Sequence, residues 1–296
     1  MNTTIKHFIY AARMRILPAS AIPTIAGIML AAIDGAYDFF TAFITVLSAM
    51  MLQTTSNYLN DLYDFKKGAD LKRIGPPRAV ASGMISEKAM TIMSWVMFTL
   101  TFLIGLILVQ KAGWPILVIG IASLWAAFAY TGGPYPLAYH GLGEATAFVF
   151  YGLIPVWGAY FIQIPELIFK PQVIITGIIM GLFAAKILLV NNIRDIETDP
   201  TAGKITLAVM LGEKKSRLLY ALLMILSYGL LFLLARMQDN AVYLMPWILF
   251  PFAVYLTKGV LKTEKDQLNP YVFKTAIHLF AFGIILCIAM YVGMQK

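Results

Sequence analysis

Cysteine is almost missing. The 296-residue chain has one, Cys287. No intrachain disulfide can form, and in the last apolar run this residue reads as a small packing group. Histidine is scarce too, at three, which steers any metal chemistry away from zinc and toward oxygen ligands. Charged residues make up only 13% of the chain against 60% hydrophobic, and mean hydropathy is +0.77. No polar stretch is long enough to hide a soluble domain. The composition is that of an all-α polytopic membrane protein, a single domain over residues 1–296. The basic N-terminal flank leads into a long apolar run without a small-residue cleavage site, so it reads as a first span, not a removed signal. A net charge of +8 would suit nucleic acid, but in a membrane chain it reads as loop bias, with no nucleic-acid partner.

What is present is apolar length. Nine segments are long enough to cross a ~30 Å hydrocarbon core, which takes roughly 20 helical residues: 17–35, 39–60, 88–110, 114–131, 143–162, 172–192, 216–235, 241–261 and 272–292. Backbone cannot be left open to lipid, so these are expected to be transmembrane helices. With the N-terminus inside, 18 Lys and Arg fall on the cytoplasmic side and four on the other, with Lys186 inside a span, where it is expected to snorkel or to face a cavity between the helices. The bias predicts a multi-pass protein of the cell inner membrane, N-terminus in the cytoplasm. Asp34, Asp38, Glu166 and Asp239 then fall outside, as solvated loop charges.

Only 15 residues are acidic, and six of them fall in two short stretches. The first runs Asn57-Tyr-Leu-Asn60-Asp61-Leu-Tyr-Asp64-Phe-Lys-Lys67-Gly68-Ala-Asp70 and continues to Lys72, Arg73 and Arg78. The second runs Asn191-Asn192-Ile-Arg194-Asp195-Ile-Glu197-Thr-Asp199-Pro-Thr-Ala-Gly203-Lys204. Each follows an apolar run. Asp61 and Asp64 are three apart, Asn60 and Asp64 four apart, Asp195 and Asp199 four apart, so each set shares a helix face. Carboxylates gathered at the edge of hydrocarbon call for a divalent cation. An all-oxygen donor set points to Mg²⁺, which completes its shell with water and substrate phosphate. The expected ligands are Asn60, Asp61, Asp64, Asp195 and Asp199. Neighbouring cations suit an anion, and the combination reads as a diphosphate site. The matching Asp64-xxx-Gly68 and Asp199-xxx-Gly203 suggest a weak internal repeat, as membrane proteins often carry.

A third stretch, Tyr130-Thr-Gly-Gly-Pro-Tyr-Pro-Leu-Ala-Tyr139-His140-Gly-Leu-Gly143-Glu144, has no Lys or Arg and is rich in turn residues that can approach a ligand. Tyr130 and Tyr139 are candidates to bond phosphate or acceptor; an interfacial tyrosine belt is the plainer alternative.

These motifs resemble the UbiA superfamily of intramembrane prenyltransferases. Asn60-Asp61-Leu-Tyr-Asp64 through Asp70 is similar to the first aspartate-rich motif, and Asn191 through Ala208 to the second. Arg15-Ile-Leu-Pro18, Tyr-Thr-Gly-Gly-Pro and Gly-x-Gly-Glu are similar to the menaquinone branch, the 1,4-dihydroxy-2-naphthoate polyprenyltransferases, while Ile205 departs from it. The resemblance implies nine helices around a central cavity and Mg²⁺-diphosphate bound by both motifs. It implies polyprenyl transfer from a polyprenyl diphosphate to an aromatic acceptor, with loss of CO₂ and diphosphate, in menaquinone biosynthesis. Asp64, Asp195, Asp199 and Asn60 would be catalytic. Asn57, Lys67, Lys72, Arg78, Tyr130, Tyr139, Asn191, Asn192, Arg194 and Lys204 would bind substrate, and membrane lipid would surround the tail.

The chemistry is coherent from the residues. An allylic C–O bond ionises when its leaving diphosphate is stabilised, and a dry cavity protects the cation. Phe148, Phe150, Tyr151 and Trp157 are candidates to line it, with packing as the alternative for each. Rival readings are another acceptor (4-hydroxybenzoate, homogentisate or a lipid), a prenyl cyclase, or a cation-coupled secondary transporter. The last expects ionisable groups near the midplane, whereas these cluster at one face.

Overall fold

The computed structural model describes residues 3–14, 16–70, 74–166 and 169–294. Helices follow the apolar runs, and local chemistry sets their ends. A short α1 (Thr3–Ala11) precedes α2 (Pro18–Ile33), which starts at a proline whose missing N–H costs nothing there. The side chain of Asp38 accepts from the Thr41 N–H at 2.8 Å and caps α3 (Phe39–Lys66). Ser86 does the same for α4 (Glu87–Ala112), accepting from Ala89. Gly113, at φ +78°, breaks α4 and opens α5 (Trp114–Ala129). Then come α6 (Gly143–Gln163), α7 (Pro171–Arg194), the short α8 (Leu207–Leu211), α9 (Glu213–Met237), α10 (Ala241–Lys262) and α11 (Asn269–Met294). Among the described residues there is no sheet, only an isolated bridge between His140 and Ile205.

All nine expected apolar segments fall on helices. Seven are long and apolar enough to cross a membrane; α2 and α5 have 16 residues each, about 24 Å. By length and composition the described residues thus support seven crossings and do not establish the expected nine.

The core is centred on α7. Its Val173, Ile179, Met180, Phe183, Val190 and Ile193 pack with residues of α9 and α11. Large apolar side chains such as Ile225 and Phe232 on α9 and Leu103 on α4 point outward, as a lipid-facing surface requires. Two close crossings need glycine. A Cβ on Gly152 would stand 2.2 Å from the Gly181 Cα, and one on Gly27 would stand 2.1 Å from the Val156 carbonyl oxygen. Small residues here let backbones touch, the usual device where no water drives helices together.

Polar groups expected in loops or at the cavity have firmer places. Asp34 is no solvated loop charge: its Oδ2 is 2.7 Å from Lys170 Nζ and accepts from the Tyr160 hydroxyl at 2.7 Å. Asp38, expected likewise, is a helix cap whose own N–H donates to Gln163. Lys186 neither snorkels nor faces the cavity. It is 0% exposed, donates to Ser227 Oγ at 3.1 Å and to Met224 Sδ at 3.2 Å, and lies 3.5 Å from the Phe183 ring centre.

Candidate active site

The first aspartate stretch is the last two turns of α3 and the loop behind it. Asp64 is buried yet borders a cavity. Its Oδ1 accepts from the Tyr139 hydroxyl at 2.9 Å, and its Oδ2 lies 3.6 Å from the Arg78 guanidinium. Arg78 also reaches Asp70, at 3.4 Å. Asn60 accepts from Thr131 at 3.0 Å, and Asn57 donates to the Ala12 carbonyl at 2.9 Å, tying in the N-terminal segment. Both amides line the cavity. Asp61 does not join them. Its two oxygens accept from the N–H groups of Ala79 and Val80 at 3.0 and 2.9 Å. A carboxylate so engaged pins the loop that carries Arg78, and Asp61, expected among the ligands, is not on the cavity wall. Lys67 is exposed, its Nζ 5.4 Å from the Tyr139 ring centre, and is not on the cavity wall. Lys72, with Arg15, lies outside the described residues.

The second stretch ends α7 and turns through Asp199–Ala202. Arg194 grips Asp195 with two donors, at 2.8 and 2.5 Å, and also donates to Asn191 and Asn269. Arg194 is among the most buried large side chains in the molecule. The residues expected to bind substrate, Arg194, and metal, Asp195, are therefore bound to each other. Asp199 differs. Lys204 Nζ is 3.3 Å from its Oδ1, while its Oδ2 is buried without a hydrogen-bond partner. Burial, offset by Lys204 and reinforced by the nearby charges of Asp195 and Asp64, pushes its carboxyl up to about 6.

The turn-rich stretch joins the two clusters. Ile205 N–H donates to the Tyr139 carbonyl at 3.1 Å, which seats the Tyr139 ring beside Lys204, 6.0 Å from its centre. A chain of contacts thus runs Asp64, Tyr139, Lys204, Asp199. Burial, then the Asp64 charge, raises the Tyr139 hydroxyl above its ordinary value, so it stays a donor to Asp64. Tyr130, Asn191, Asn192 and Lys204 line the same cavity as Asp64, Asn57 and Asn60, about 220 Å³ in volume. Of the aromatic candidates, Phe150 and Tyr151 are on its wall. They ride on a π-helical turn, Val149–Leu153 within α6, the kind of bulge that re-aims side chains at functional sites. Trp157 is off the wall, stacked on Phe161 and Phe169. Phe148 is off it too, against Gly181.

Three residues at this end escaped the sequence reading. Arg13 lines the cavity from a left-handed backbone, φ +56°; in sequence it looked like a topogenic charge. Glu144 is buried, accepting from Asn192 at 2.9 Å, with its second oxygen unpartnered; in sequence it closes the Gly-x-Gly-Glu match but has no role assigned to it. Asn269 bridges Arg194 to the Ile74 carbonyl, and nothing local marks it.

Among the described residues no three His, Cys, Asp or Glu converge closely enough to hold a metal by themselves. The donor set still fits Mg²⁺ bound together with a phosphate. The unpartnered buried oxygen of Asp199 and the cavity-facing Asp64 are hard oxygen donors, and Mg²⁺ takes most of its shell from water and substrate.

The chain matches the UbiA prenyltransferase family over residues 20–284, and it belongs to that family. The fold agrees. A UbiA homolog from Aeropyrum pernix superposes with TM-score 0.71 at 14% identity, covering 94% of this chain and 98% of that one. One from Archaeoglobus fulgidus, solved with GPP and Mg²⁺, gives 0.63 at 15%, covering 95% and 99%. More similar in sequence is the 1,4-dihydroxy-2-naphthoate octaprenyltransferase of Escherichia coli, 34% identical over 280 residues, 85% of this chain and 90% of that protein. The protein of the same name from Haemophilus influenzae is 30% identical and covers 99% and 98%.

Proposed function

We propose that this multi-pass membrane protein transfers a polyprenyl group from polyprenyl diphosphate to 1,4-dihydroxy-2-naphthoate, releasing diphosphate and CO₂. The observation that carries the reading is the Asp64–Tyr139–Lys204–Asp199 chain, which ties two acidic motifs together beside a partly apolar cavity that Asp64 and Lys204 line. The acceptor is the one named for the two bacterial relatives.

Arg78 and Lys204 meet the diphosphate at the mouth and balance its charge as the allylic C–O bond breaks. Asp64 and Asp199 would hold Mg²⁺, whose positive charge on the diphosphate oxygens makes the group a better leaving group. Tyr139 keeps Asp64 oriented by its hydrogen bond. Asn60, Asn191 and Asn192 offer amides that orient the head groups. Phe150 and Tyr151 present ring faces to the allylic carbon, where cationic character grows, and their apolar surroundings exclude water that would capture it. The ring attacks through the carbon bearing the carboxyl; the new C–C bond forms, CO₂ leaves, and its bonding electrons restore the aromatic ring. The reacting carbons must lie close, which places the acceptor between the diphosphate and Tyr130.

The Lys/Arg bias supports a mouth that opens to the cytoplasm. One experiment tests both points. Membrane vesicles of each orientation receive Mg²⁺, a long-chain prenyl diphosphate and the naphthoate. Inside-out vesicles should form the prenylated naphthoquinol and CO₂. Consumption of 4-hydroxybenzoate or homogentisate in place of the naphthoate would reject the acceptor, and activity confined to right-side-out vesicles would reject the orientation.

A further inference from the structure

The candidate cavity does not end inside the bundle. A second cavity, about 140 Å³, adjoins it, and the two share Ala49, Leu52, Ser123, Phe150 and Pro155 on their walls. It lies between α3, α4, α5 and α6. Its lining on α6 runs from Phe150 to Ile162, about 18 Å along that helix, directed away from Asp64 and Asp199. No charged residue lines it. Three hydroxyls on its wall are turned back to their own helices: Thr24 donates to Ser20, Thr45 to Thr41 and Thr101 to Met97, at 3.2, 2.7 and 2.7 Å. Side chains tied back in this way present methyl groups to the space.

One residue on this wall stands out by contrast with the packed glycines. Gly27 and Gly152 are glycine because a Cβ would strike a neighbouring backbone. Gly158 is also buried, yet no atom lies within 4 Å of where its Cβ would stand. Helix packing does not require glycine there. What the missing side chain does is leave the cavity open.

With the first cavity read as a prenyl diphosphate site, the second cavity takes the distal isoprene units of the donor, and we propose that Gly158 sets the length of tail it admits. This rests on that reading. The first cavity must hold a diphosphate, an aromatic acid and the reacting isoprene unit, so a long tail needs further space. The space continuous with it is apolar, uncharged and elongated. The acceptor, with its carboxylate and hydroxyls, would leave polar groups unpaired there; a hydrocarbon tail would not.

The test compares donors in the full-length protein in membranes. Wild type, Gly158→Phe and Gly158→Ala are assayed with geranyl and octaprenyl diphosphates and the naphthoate. A phenyl ring should fill the passage, so the octaprenyl-to-geranyl ratio of kcat/KM falls by about tenfold or more, while Gly158→Ala shifts it little. Geranyl turnover reports that the variant is folded. Gly105, on α4 across the cavity, also faces empty space, and Gly105→Phe is an independent plug should Gly158→Phe not fold. An unchanged ratio in either folded variant, or equal loss on both donors, overturns the proposal. A wild type that uses neither donor overturns the functional reading instead.

Discussion

The two acidic stretches close in the same way. Each has a glycine in the left-handed region four residues after an aspartate, Gly68 at φ +76° and Gly203 at φ +69°. In each, the next N–H returns to that aspartate's carbonyl, Ala69 to Asp64 at 2.9 Å and Lys204 to Asp199 at 3.0 Å. In each, a pair of aspartates divides the labour. Asp61 and Asp195 hold structure; Asp64 and Asp199 belong to the chain that joins the motifs. The means differ. Asp61 is held by two backbone amides of a loop, whereas Asp195 is held by a buried guanidinium. The lesson is that paired carboxylates at helical spacing need not be paired in role. The partner that each acquires in three dimensions decides which one remains available to a ligand.

That division can be broken by mutation, and the largest effect should come from the available pair. Asp64→Asn or Asp199→Asn should lower prenyl transfer by about a thousandfold, the scale of losing a group aimed at transition-state charge. The thermal midpoint in detergent should stay near wild type. Retained turnover in either variant would remove that residue from the chemistry.

The structural pair should fail differently. Asp195→Ala leaves the Arg194 guanidinium buried and unpaired, at a cost of about 3–5 kcal/mol, read as a large drop in thermal midpoint. Replacing both, Arg194→Met with Asp195→Leu, should recover most of that stability, because a buried ion pair adds little over well-packed apolar groups. If Asp195→Ala keeps its stability and loses only activity, Asp195 is a ligand after all and the contrast between the two pairs collapses.

The smallest effect is one of pH. The Asp199 carboxyl is raised to about 6, chiefly by burial. A raised acid favours the folded state while protonated, and this contribution is lost as pH rises through about 6. Mg²⁺ needs the deprotonated form. Added Mg²⁺ should therefore raise the thermal midpoint more at pH 7.5 than at pH 5.5, and Asp199→Asn should flatten that difference. An equal Mg²⁺ shift at both values in wild type would place the metal elsewhere.

Much of this architecture was legible in the chain. Apolar runs of helix length located every major helix, because lipid leaves the backbone no other option. The scarcity of acids made two clusters visible, but the helix faces that their spacing suggested are not kept: α7 ends at Arg194, Asp199 opens a separate turn, and Asp61 faces a loop that Asp64 does not. What spacing could not reveal was the partner of each side chain. The amides that occupy Asp61 come from 18 and 19 residues further on, and the amide that shares Arg194 with Asp195 comes from 75 residues away. Tyr139, read as a candidate to bond phosphate or acceptor, donates instead to Asp64, and its own carbonyl accepts from the Ile205 N–H, two contacts that no local spacing announces. Lys186 had two sequence readings, and the helix interface that it occupies matches neither.

That lysine also bears on how the protein is made. Its helix, α7, has a mean hydropathy of 2.5, the highest of the seven candidate spans, and 78% of its apolar window is buried. A lysine at the centre of a span raises the cost of insertion by about 2.5–3.5 kcal/mol, and the surplus of apolar residues offsets this while the helix stands alone. Its polar partners, Met224 and Ser227, are on α9, which leaves the ribosome later. The helix that carries this lysine is therefore synthesised before the helix that carries its partners, and the apolar surplus of α7 offsets the cost until the two pack.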